Sequence, residues 1–171
     1  MEISPVLSTE RLLLRPLKLS DRAAYLSFLT QPEVTRFLGS GQDKTPQEAE
    51  AILRDFCQQW EEHPRWGVWA VCTPDGQLAG HCGFLPLDGG PVELLYALAP
   101  AFWNQGLGTE AALAVLNYAA GQRLWPQVDA LVYPQNRPSA RILIKLGFVP
   151  LAQETHFGAR LDRYRRPLAG L

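Results

Sequence analysis

The chain has 171 residues, which is long enough for one domain with a substantial hydrophobic core. Hydrophobic residues make up 47% of the sequence and charged residues 19%, the usual balance of a soluble globular protein. The formal net charge of -1 argues against a nucleic-acid binder that depends on bulk positive charge, and no apolar run reaches the length of a membrane span.

Cysteine and histidine spacing indicates neither a disulfide framework nor a metal site. The cysteines Cys57, Cys72 and Cys82 are odd in number and have no C-x-x-C spacing, which suits a reducing compartment. The three histidines form no H-E-x-x-H pattern. The first residues lack the basic and apolar regions of a signal peptide. We therefore expect a cytoplasmic protein with no metal ion and no nucleic-acid or membrane partner.

The first third of the chain predicts one strand and two helices. In chain order the elements are a strand over 11–18, a helix over 20–29, a loop rich in breakers over 31–44 and a helix over 45–63. The last helix has the clearest signals, because Thr45 is a suitable cap, Pro46 occupies the first turn and Glu48 completes a capping box. Pro16 places the first strand at an edge or near its end.

The rest of the chain predicts a β meander followed by two helices, a strand and a hairpin. The strands are expected over 66–72, 78–87 and 92–99, the helices over 106–121 and 137–147, the next strand over 127–133, and the hairpin over 148–157 and 159–168. This order indicates a mixed α/β fold, an α+β arrangement with a mixed sheet, in a single domain over 1–171. The last strand has a basic cluster that we interpret as a solvated face: Arg160, Arg163, Arg165 and Arg166.

Two glycines, Gly106 and Gly108, stand at the start of a predicted helix and suggest a phosphate-binding turn. The stretch "GLGTEA" satisfies the dinucleotide fingerprint G-x-G-x-x-A, and Asp129 follows roughly twenty residues later. The context argues against that fingerprint, because "PAFWNQ" separates the glycines from the preceding strand and Asp129 lies at the start of the next one. A Walker A loop is excluded, because Thr109 and Glu110 follow the last glycine instead of Lys and Ser/Thr.

The remaining interpretation is a diphosphate site built from backbone amides without metal or lysine. The first N–H groups of a helix have no intrahelical partner, and the helix dipole favours an anion at that end. Glycines allow the backbone to approach a diphosphate closely, which side chains would prevent. Tight packing of helix on strand without a ligand is the alternative for such a glycine pair.

The sequence after this helix adds a second motif. "VYPQNRPSARILIKLGF" places Asn136 and Ser139 just past a strand, on a helix that ends at Gly147 and Phe148. Together with the strand "VELLYALAP" before the glycines, this sequence resembles the GNAT superfamily of N-acetyltransferases. The start "TERLLLRPLKLSDRAAYLSFLTQPEVTRFLG" and the stretch "FWNQGLGTEA" resemble its RimJ/RimL-like branch of ribosomal-protein N-acetyltransferases. The resemblance extends from about residue 9 to residue 168. It implies the acyl-CoA N-acyltransferase fold, a mostly antiparallel central sheet that is splayed between its fourth and fifth strands and flanked by helices.

The resemblance also implies where acetyl-CoA would bind. The six positions of the family's pyrophosphate loop are occupied by Trp103, Asn104, Gln105, Gly106, Leu107 and Gly108, with cradle amides from about Gln105 to Thr109. Trp103 departs from the usual Gln or Arg. Leu98 and Ala99 would pair through their backbones with the pantetheine arm, and Asn136 and Ser139 would contact the cofactor beyond the splay. Without the resemblance, Asn136 and Ser139 would be a turn residue and a first-turn helix residue.

The catalytic roles are likewise expectations from the family. Glu93 would be the base that takes the amine proton, and a backbone N–H near Leu98 would stabilise the developing oxyanion. The alternative for Glu93 is an exposed strand carboxylate. Many relatives have a tyrosine acid in the last helix, but Leu143 occupies that position here, so Tyr96 or Ser139 would have to substitute.

We therefore predict an acetyl-CoA-dependent N-acetyltransferase that acts on a primary amine by direct transfer in a ternary complex. The acceptor would bind between the loop 31–41 and the last hairpin turn, beside three aromatic residues that could instead belong to the core: Trp66, Trp69 and Phe84. A protein N-terminus or a small, aminoglycoside-like amine fits this reaction, and a monomer or homodimer is expected. The alternative from another class is an acyl-CoA-binding module without catalysis.

Overall fold

The computed structural model describes residues 4–88, 90 and 92–168. Within these residues one sheet of eight strands has the order β1-β2-β3-β4-β5-β6-β8-β7. The strands are β1 (Leu7–Ser8), β2 (Leu13–Pro16), β3 (Val68–Cys72), β4 (Leu78–Pro86), β5 (Val92–Leu98), β6 (Gln127–Val132), β7 (Val149–His156) and β8 (Ala159–Pro167). All neighbouring strands are antiparallel except β5 and β6, which are parallel. The predicted mixed α/β class is therefore confirmed.

Helices cover both faces of this sheet. They are α1 (Arg22–Leu29), α2 (Pro32–Thr35), α3 (Pro46–Glu62), α4 (Leu107–Gly121) and α5 (Arg137–Lys145), with 3-10 turns at Leu19–Asp21 and Pro100–Phe102. The predicted capping box is present at the start of α3, where Thr45 Oγ1 accepts a hydrogen bond from Glu48 N at 3.1 Å. In return, Glu48 Oε1 accepts one from Thr45 N at 3.2 Å.

The N-terminal strand is shorter than the sequence predicted. Thr9 and Leu12 close a turn, in which Thr9 N donates to Leu12 O at 2.9 Å and Leu12 N donates to Thr9 Oγ1 at 3.0 Å. This turn places Arg11 outside the strand, so β2 runs from Leu13 to Pro16 instead of over 11–18. The chain before the turn forms the two-residue β1, which the sequence did not predict.

The period-2 alternation of the strands divides the core into two clusters. In β3, Trp69 and Val71 belong to a cluster with α4 and α5, whereas Val68 and Ala70 belong to a cluster with α1 and α3. In β5 the same alternation places Val92, Leu94 and Leu98 on the α4 and α5 face. We call the two sides of the sheet the α4–α5 face and the α1–α3 face.

The sheet opens between β5 and β6. These two strands share one register pair, Glu93 with Asp129, and no pair continues from there to Leu98, the last residue of β5. They are the fourth and fifth of the strands predicted from the sequence, because the short β1 adds one to the count. The predicted splay is thus confirmed, and it leaves the C-terminal half of β5 without a strand partner on that side.

The β6 residue of the single pair between β5 and β6 belongs to a buried ion cluster. Asp129 has no exposed surface and accepts hydrogen bonds from Arg163 Nε at 2.7 Å and Arg165 Nε at 2.8 Å. Arg163 also pairs with Glu154 of β7 at 3.0 Å. Burial alone would raise the pKa of Asp129, but the hydrogen bonds from both arginines outweigh it and hold the pKa below its ordinary value.

The interpretation of the basic cluster as a solvated face is therefore wrong for two of its members. Arg163 is 6% exposed and joins β6, β7 and β8 through carboxylates on two of those strands. Arg165 is partly exposed but donates two hydrogen bonds to the same Asp129 carboxylate. The sequence showed the positive charges but not the buried negative charge opposite them.

Replacing Asp129 tests the importance of this ion cluster. The Asp129→Ala variant leaves the buried Arg163 short of a counter-ion, so we expect the free energy of unfolding to fall by about 3–5 kcal/mol. Asp55→Ala, at an exposed position of α3, is the control and should change it by less than about 0.5 kcal/mol. Urea unfolding curves measure both, and similar losses in the two variants would contradict a structural role of the cluster.

Candidate functional site

The open edge of β5 presents backbone groups to the splay. Ala99 N donates to Ala79 O at 2.8 Å, so the N–H of Ala99 points toward β4. Because backbone groups alternate in direction along an antiparallel strand, those of Leu98 and Tyr96 point the other way, toward β6. In agreement, Leu98 O accepts a hydrogen bond from Trp103 Nε1 at 2.7 Å. Of the two residues predicted to pair with an extended ligand, Leu98 has its N–H on this edge and Ala99 does not.

The loop that follows β5 ends in an uncapped helix N-terminus. Gly106 is the N-cap of α4, has φ 76° and provides no side chain to cap the helix. The first helical bond runs from Glu110 N to Gly106 O at 3.0 Å, so the amides of Leu107, Gly108 and Thr109 precede the hydrogen-bonded ladder. Amides in this position fit a diphosphate, which needs several donors at one end of a dipole.

The two glycines of this loop are under different structural constraints. Gly106 needs the left-handed conformation, which other residues adopt only at a cost. At Gly108 an added Cβ would lie 3.4 Å from Ile142 Cδ1, the flexible end of a side chain on α5, at ordinary van der Waals distance. Asn104 also has a positive φ of 60°, which asparagine tolerates better than most residues. Tight packing of helix on strand therefore accounts for neither glycine.

The loop is held from one side by the turn before β2. The carboxylate of Glu110 accepts hydrogen bonds from Thr9 Oγ1 at 2.5 Å, Arg11 N at 3.0 Å and Arg11 Nε at 2.8 Å. Arg11 Nη1 also donates to Gln105 O at 2.8 Å. Glu110 therefore has a structural role, and it connects the loop to a segment that lies 99 residues earlier in the chain.

Tyr96 and Ser139, the two predicted substitutes for a family acid, are in contact. Tyr96 Oη lies 2.8 Å from Ser139 Oγ and donates to Ser139 O at 3.0 Å. Burial raises the pKa of Tyr96, and the hydrogen bond with Ser139 opposes part of that effect. Asn136 Oδ1 accepts from Ser139 N at 3.3 Å and so caps α5. Leu143, on the same helix, is 1% exposed and belongs to the core.

Glu93 lies on the α1–α3 face, at the closed end of the splay. Its position follows from the alternation with Val92 and Leu94, which face α4 and α5. Burial raises the pKa of Glu93 to about 6, while the neighbouring side chains of His156 and Arg163 act in the opposite direction. A carboxylate with this pKa can accept a proton near neutral pH. The alternative of an ordinary exposed strand carboxylate does not describe it.

The predicted acceptor region is only partly as expected. Trp69 and Phe84 have no exposed surface and pack on the α4–α5 face, so they are core residues and not walls of an acceptor site. The loop 36–45 is tied to the end of β6, because Tyr133 Oη donates to Gly39 O at 2.7 Å. At the other side of this region, Phe157 is 69% exposed at the tip of the β7–β8 hairpin.

Sequence reasoning missed three residues around these groups. His156 and Arg163 act on the Glu93 carboxyl, and Arg11 reaches the α4 loop. Glu154 and His156 share one face of β7, since they are two residues apart, and their side chains lie 3.1 Å from each other. In the sequence, a spacing of two residues within a predicted strand was a usable signal that these two side chains lie on the same face. Arg11 gave none, because its partners are more than ninety positions away.

Two features are absent from the part of the chain that the structure describes. None of the helices in that part of the chain is both long and apolar enough to cross a membrane. Across the same residues, no group of three or more His, Cys, Asp or Glu side chains is arranged to hold a metal ion.

Comparison with known proteins adds independent evidence. The sequence profile described as "Acetyltransferase (GNAT) domain" matches residues 11–149. The Bacillus subtilis protein named uncharacterized N-acetyltransferase YoaA is 29% identical over 148 residues, which cover 84% of this chain and 82% of that protein. The crystal structure of the acetyltransferase from Agrobacterium tumefaciens is 28% identical, with a TM-score of 0.80 over 97% of this chain and 96% of that one.

A more distant structure shares the fold. It is RimL, a ribosomal L7/L12 alpha-N-protein acetyltransferase in complex with coenzyme A, and it is 15% identical to this chain. Its TM-score is 0.80, over 95% of this chain and 98% of that one. At this identity the likeness concerns the fold alone.

The two loop glycines should respond differently to alanine. Gly106→Ala places a Cβ on a residue with positive φ, so we expect the free energy of unfolding to fall by about 1–2 kcal/mol. Gly108→Ala meets only the mobile end of Ile142 and adds a better helix former, so it should stay within about 1 kcal/mol of the parent. Chemical unfolding of both variants measures the difference, and equal losses would contradict the assignment of different constraints to the two glycines.

Proposed function

The chain belongs to the GNAT family of acetyltransferases, and from this premise we propose that it transfers the acetyl group of acetyl-CoA to a primary amine. The proposal includes direct attack by the amine while both substrates are bound. One observation carries it: three features follow one another along β5 and the loop after it. They are the Glu93 carboxyl with a pKa of about 6, the open edge of β5 and the uncapped amides of α4.

The α4 loop fits the diphosphate of coenzyme A, and the splay fits its pantetheine arm. The amides of Leu107, Gly108 and Thr109 would bind the diphosphate, and the backbone of Leu98 would pair with the amide groups of the arm. Trp103 lies at the mouth of the splay, with its indole N–H fixed on Leu98 O and its ring 42% exposed. Its ring would form a wall of the donor channel. Asn136 and Ser139 lie at the start of α5, where the resemblance places further contacts with the donor.

The donor supplies an activated thioester, so the chain has to align an amine with it, take a proton and stabilise a developing negative charge. The N–C bond forms as the C–S bond breaks, and one amine proton passes to Glu93. Glu93 and Leu98 are five residue steps apart on an extended strand, about 17 Å, so this proton would travel through ordered water. The N–H of Tyr96 points into the splay like that of Leu98 and lies closer to Glu93. We assign oxyanion stabilisation to the N–H of Tyr96, because the N–H of Leu98 would pair with the pantetheine arm.

The pair of Tyr96 and Ser139 would stabilise the leaving thiolate by hydrogen bonding. Their hydroxyls contact each other on the α4–α5 face, next to the core position Leu143 where many relatives have a tyrosine. A thiol has a pKa of roughly 8.5, so the thiolate needs little help to leave. Because burial raises the pKa of Tyr96, its hydroxyl stays protonated and would donate a hydrogen bond to the leaving thiolate, which then takes its proton from solvent.

For the acceptor, we propose the α-amino group of a peptide or protein. An α-amino group has a pKa of about 8 and is partly neutral at physiological pH, whereas a lysine has a pKa of about 10.4 and is almost fully protonated. A base with a pKa of about 6 is better matched to the α-amine. RimL, which shares the fold, is by its name an alpha-N-protein acetyltransferase. Small primary amines are the alternative acceptor class.

An acceptor panel with acetyl-CoA tests this function. We expect thiol release with peptides that have a free N-terminus and little with N-blocked peptides that contain lysine, because the lysine amine is mostly charged. Release only with small amines would overturn the choice of acceptor. In a parallel thermal unfolding assay coenzyme A should raise the melting temperature and NAD should not, since ligands stabilise only the states that they bind. Stabilisation by coenzyme A without transfer to any amine would indicate a binding module.

Replacing Glu93 tests the base. Glu93→Gln should lower kcat/KM by about 10²–10⁴-fold, the usual contribution of a general base. In the parent protein, kcat/KM should rise with pH, with one inflection at about pH 8, where the α-amine becomes neutral, and another near pH 6, where the Glu93 carboxyl ionises. The inflection near pH 6 should be absent in the variant. Glu61→Gln, an exposed carboxylate on α3, is the matched control and should leave the profile unchanged.

The affinity for coenzyme A distinguishes a variant that has lost the base from one that has lost donor binding. Glu93→Gln should bind coenzyme A as the parent does, because the carboxyl lies away from the α4 loop. If the variant keeps the parent activity and the inflection near pH 6, Glu93 is not the base.

A further inference from the structure

Arg11 brings a positive charge to the α4 loop from a distant part of the chain, outside the loop 103–108. It belongs to the turn before β2 and reaches across to the loop, where Nη1 donates to Gln105 O at 2.8 Å. Its Nη2 lies 3.4 Å from the position that a Cβ on Gly106 would occupy. The guanidinium therefore borders the N-cap residue whose helix presents the uncapped amides.

Two of the three guanidinium nitrogens of Arg11, Nε and Nη1, have hydrogen-bond partners among the described residues. Nε pairs with Glu110 Oε1 at 2.8 Å, and the backbone N of Arg11 donates to the other oxygen of that carboxylate at 3.0 Å. Thr9 Oγ1 contacts the same oxygen at 2.5 Å, which fixes the carboxylate. Among the described residues, Nη2 has no hydrogen-bond partner. It is thus a preoriented donor next to Gly106, on a side chain that is 46% exposed.

The loop itself has no cation for a doubly charged ligand. No Lys or Arg occurs between Pro100 and Gly121, and the one charged side chain there, Glu110, is negative. Without a neighbouring cation, that carboxylate would repel a diphosphate bound at the start of the same helix. Arg11 neutralises it and can share its charge with a second anion, because a guanidinium has five donors in a fixed fork.

We propose that Arg11 is a phosphate-binding residue, which donates from Nη2 to the diphosphate of the acyl donor next to the α4 amides. The inference rests on the proposed function, since it takes coenzyme A as the ligand. Arg11 then has two roles: it fixes the loop through Gln105 and Glu110, and it binds the anion directly. The second role predicts an effect that depends on the phosphates of the ligand.

Ligands with and without phosphates separate the two roles. Binding to Arg11→Gln is measured by calorimetry with coenzyme A, with dephospho-coenzyme A, which lacks only the 3′-phosphate, and with pantetheine, which lacks all phosphates. We expect both nucleotides to bind about tenfold more weakly than to the parent, the effect of losing one hydrogen bond to a charged group. Pantetheine should bind equally to both proteins. Higher salt should reduce the difference between them for the nucleotides.

Each deviation from this pattern overturns the proposal. An equal loss for pantetheine would mean that Arg11 supports the fold and not the phosphate site, and a loss for the nucleotides that does not change with salt would mean that Arg11 acts only by holding the loop. An effect on coenzyme A but not on dephospho-coenzyme A would move the contact to the 3′-phosphate. Arg22→Gln is the matched control, because Arg22 also forms an exposed pair with a glutamate, Glu50, at 3.0 Å. It should bind all three ligands like the parent. If the parent itself does not bind coenzyme A, the proposed function fails instead.

A second variant covers the case in which Arg11→Gln folds poorly. Arg11→Lys keeps the charge but loses the fork, so it should recover part of the affinity for both nucleotides. Binding of the nucleotides to Arg11→Lys no better than to Arg11→Gln, with both variants folded by circular dichroism, would count against the charge as the cause.

Discussion

The parting of β5 from β6 after a single register pair is the constraint on which the rest of the site depends. Glu93 and Asp129 form that pair, and the buried contacts of Asp129 with Arg163 and Arg165 hold β6 against β8. β6 pairs with β8 along its length and does not follow β5 toward Leu98. The backbone groups of β5 beyond the pair are left facing the opening. In a sheet such groups need partners, so an unpaired inner edge is a feature that a ligand with its own amides can satisfy.

Side chains of β5 alternate between the two faces of the sheet, so this one strand places Glu93 and Tyr96 on opposite faces. Odd-numbered positions carry Glu93 to the α1–α3 face, where the loop 36–45 and the last hairpin approach. Even-numbered positions carry Tyr96 to the α4–α5 face, where it contacts Ser139. The proposed base and the hydroxyl pair thus lie on opposite faces of one strand, and the N–H groups of that strand lie between them.

The sequence predicted the local features of this site well and the long-range ones poorly. The capping box at Thr45, the glycines of the α4 loop and the start of α5 at Asn136 are set by neighbouring residues, so their signals lie within a few positions. Two findings have no local signal. The basic cluster of β8 was interpreted as solvated because its counter-ion, Asp129, is 34 residues away from Arg163. In the same way, the contact of Arg11 with the α4 loop depends on how the turn at Thr9 docks on the sheet. Hydrophobic periodicity sets which face a residue occupies, but it does not identify which charge lies opposite.

Arg163 connects the stability of the sheet to the proton affinity of Glu93. Burial raises the pKa of that carboxyl, and the neighbouring side chains of His156 and Arg163 limit the rise, so the value of about 6 results from opposing effects. Arg163 cannot move to suit Glu93 alone, because it also neutralises Asp129 and contacts Glu154. A member of the ion cluster beside the point where the strands part therefore also lowers the pKa of Glu93 from the value that burial alone would give. A change at Arg163 would alter both the contacts of Asp129 and the pKa of Glu93.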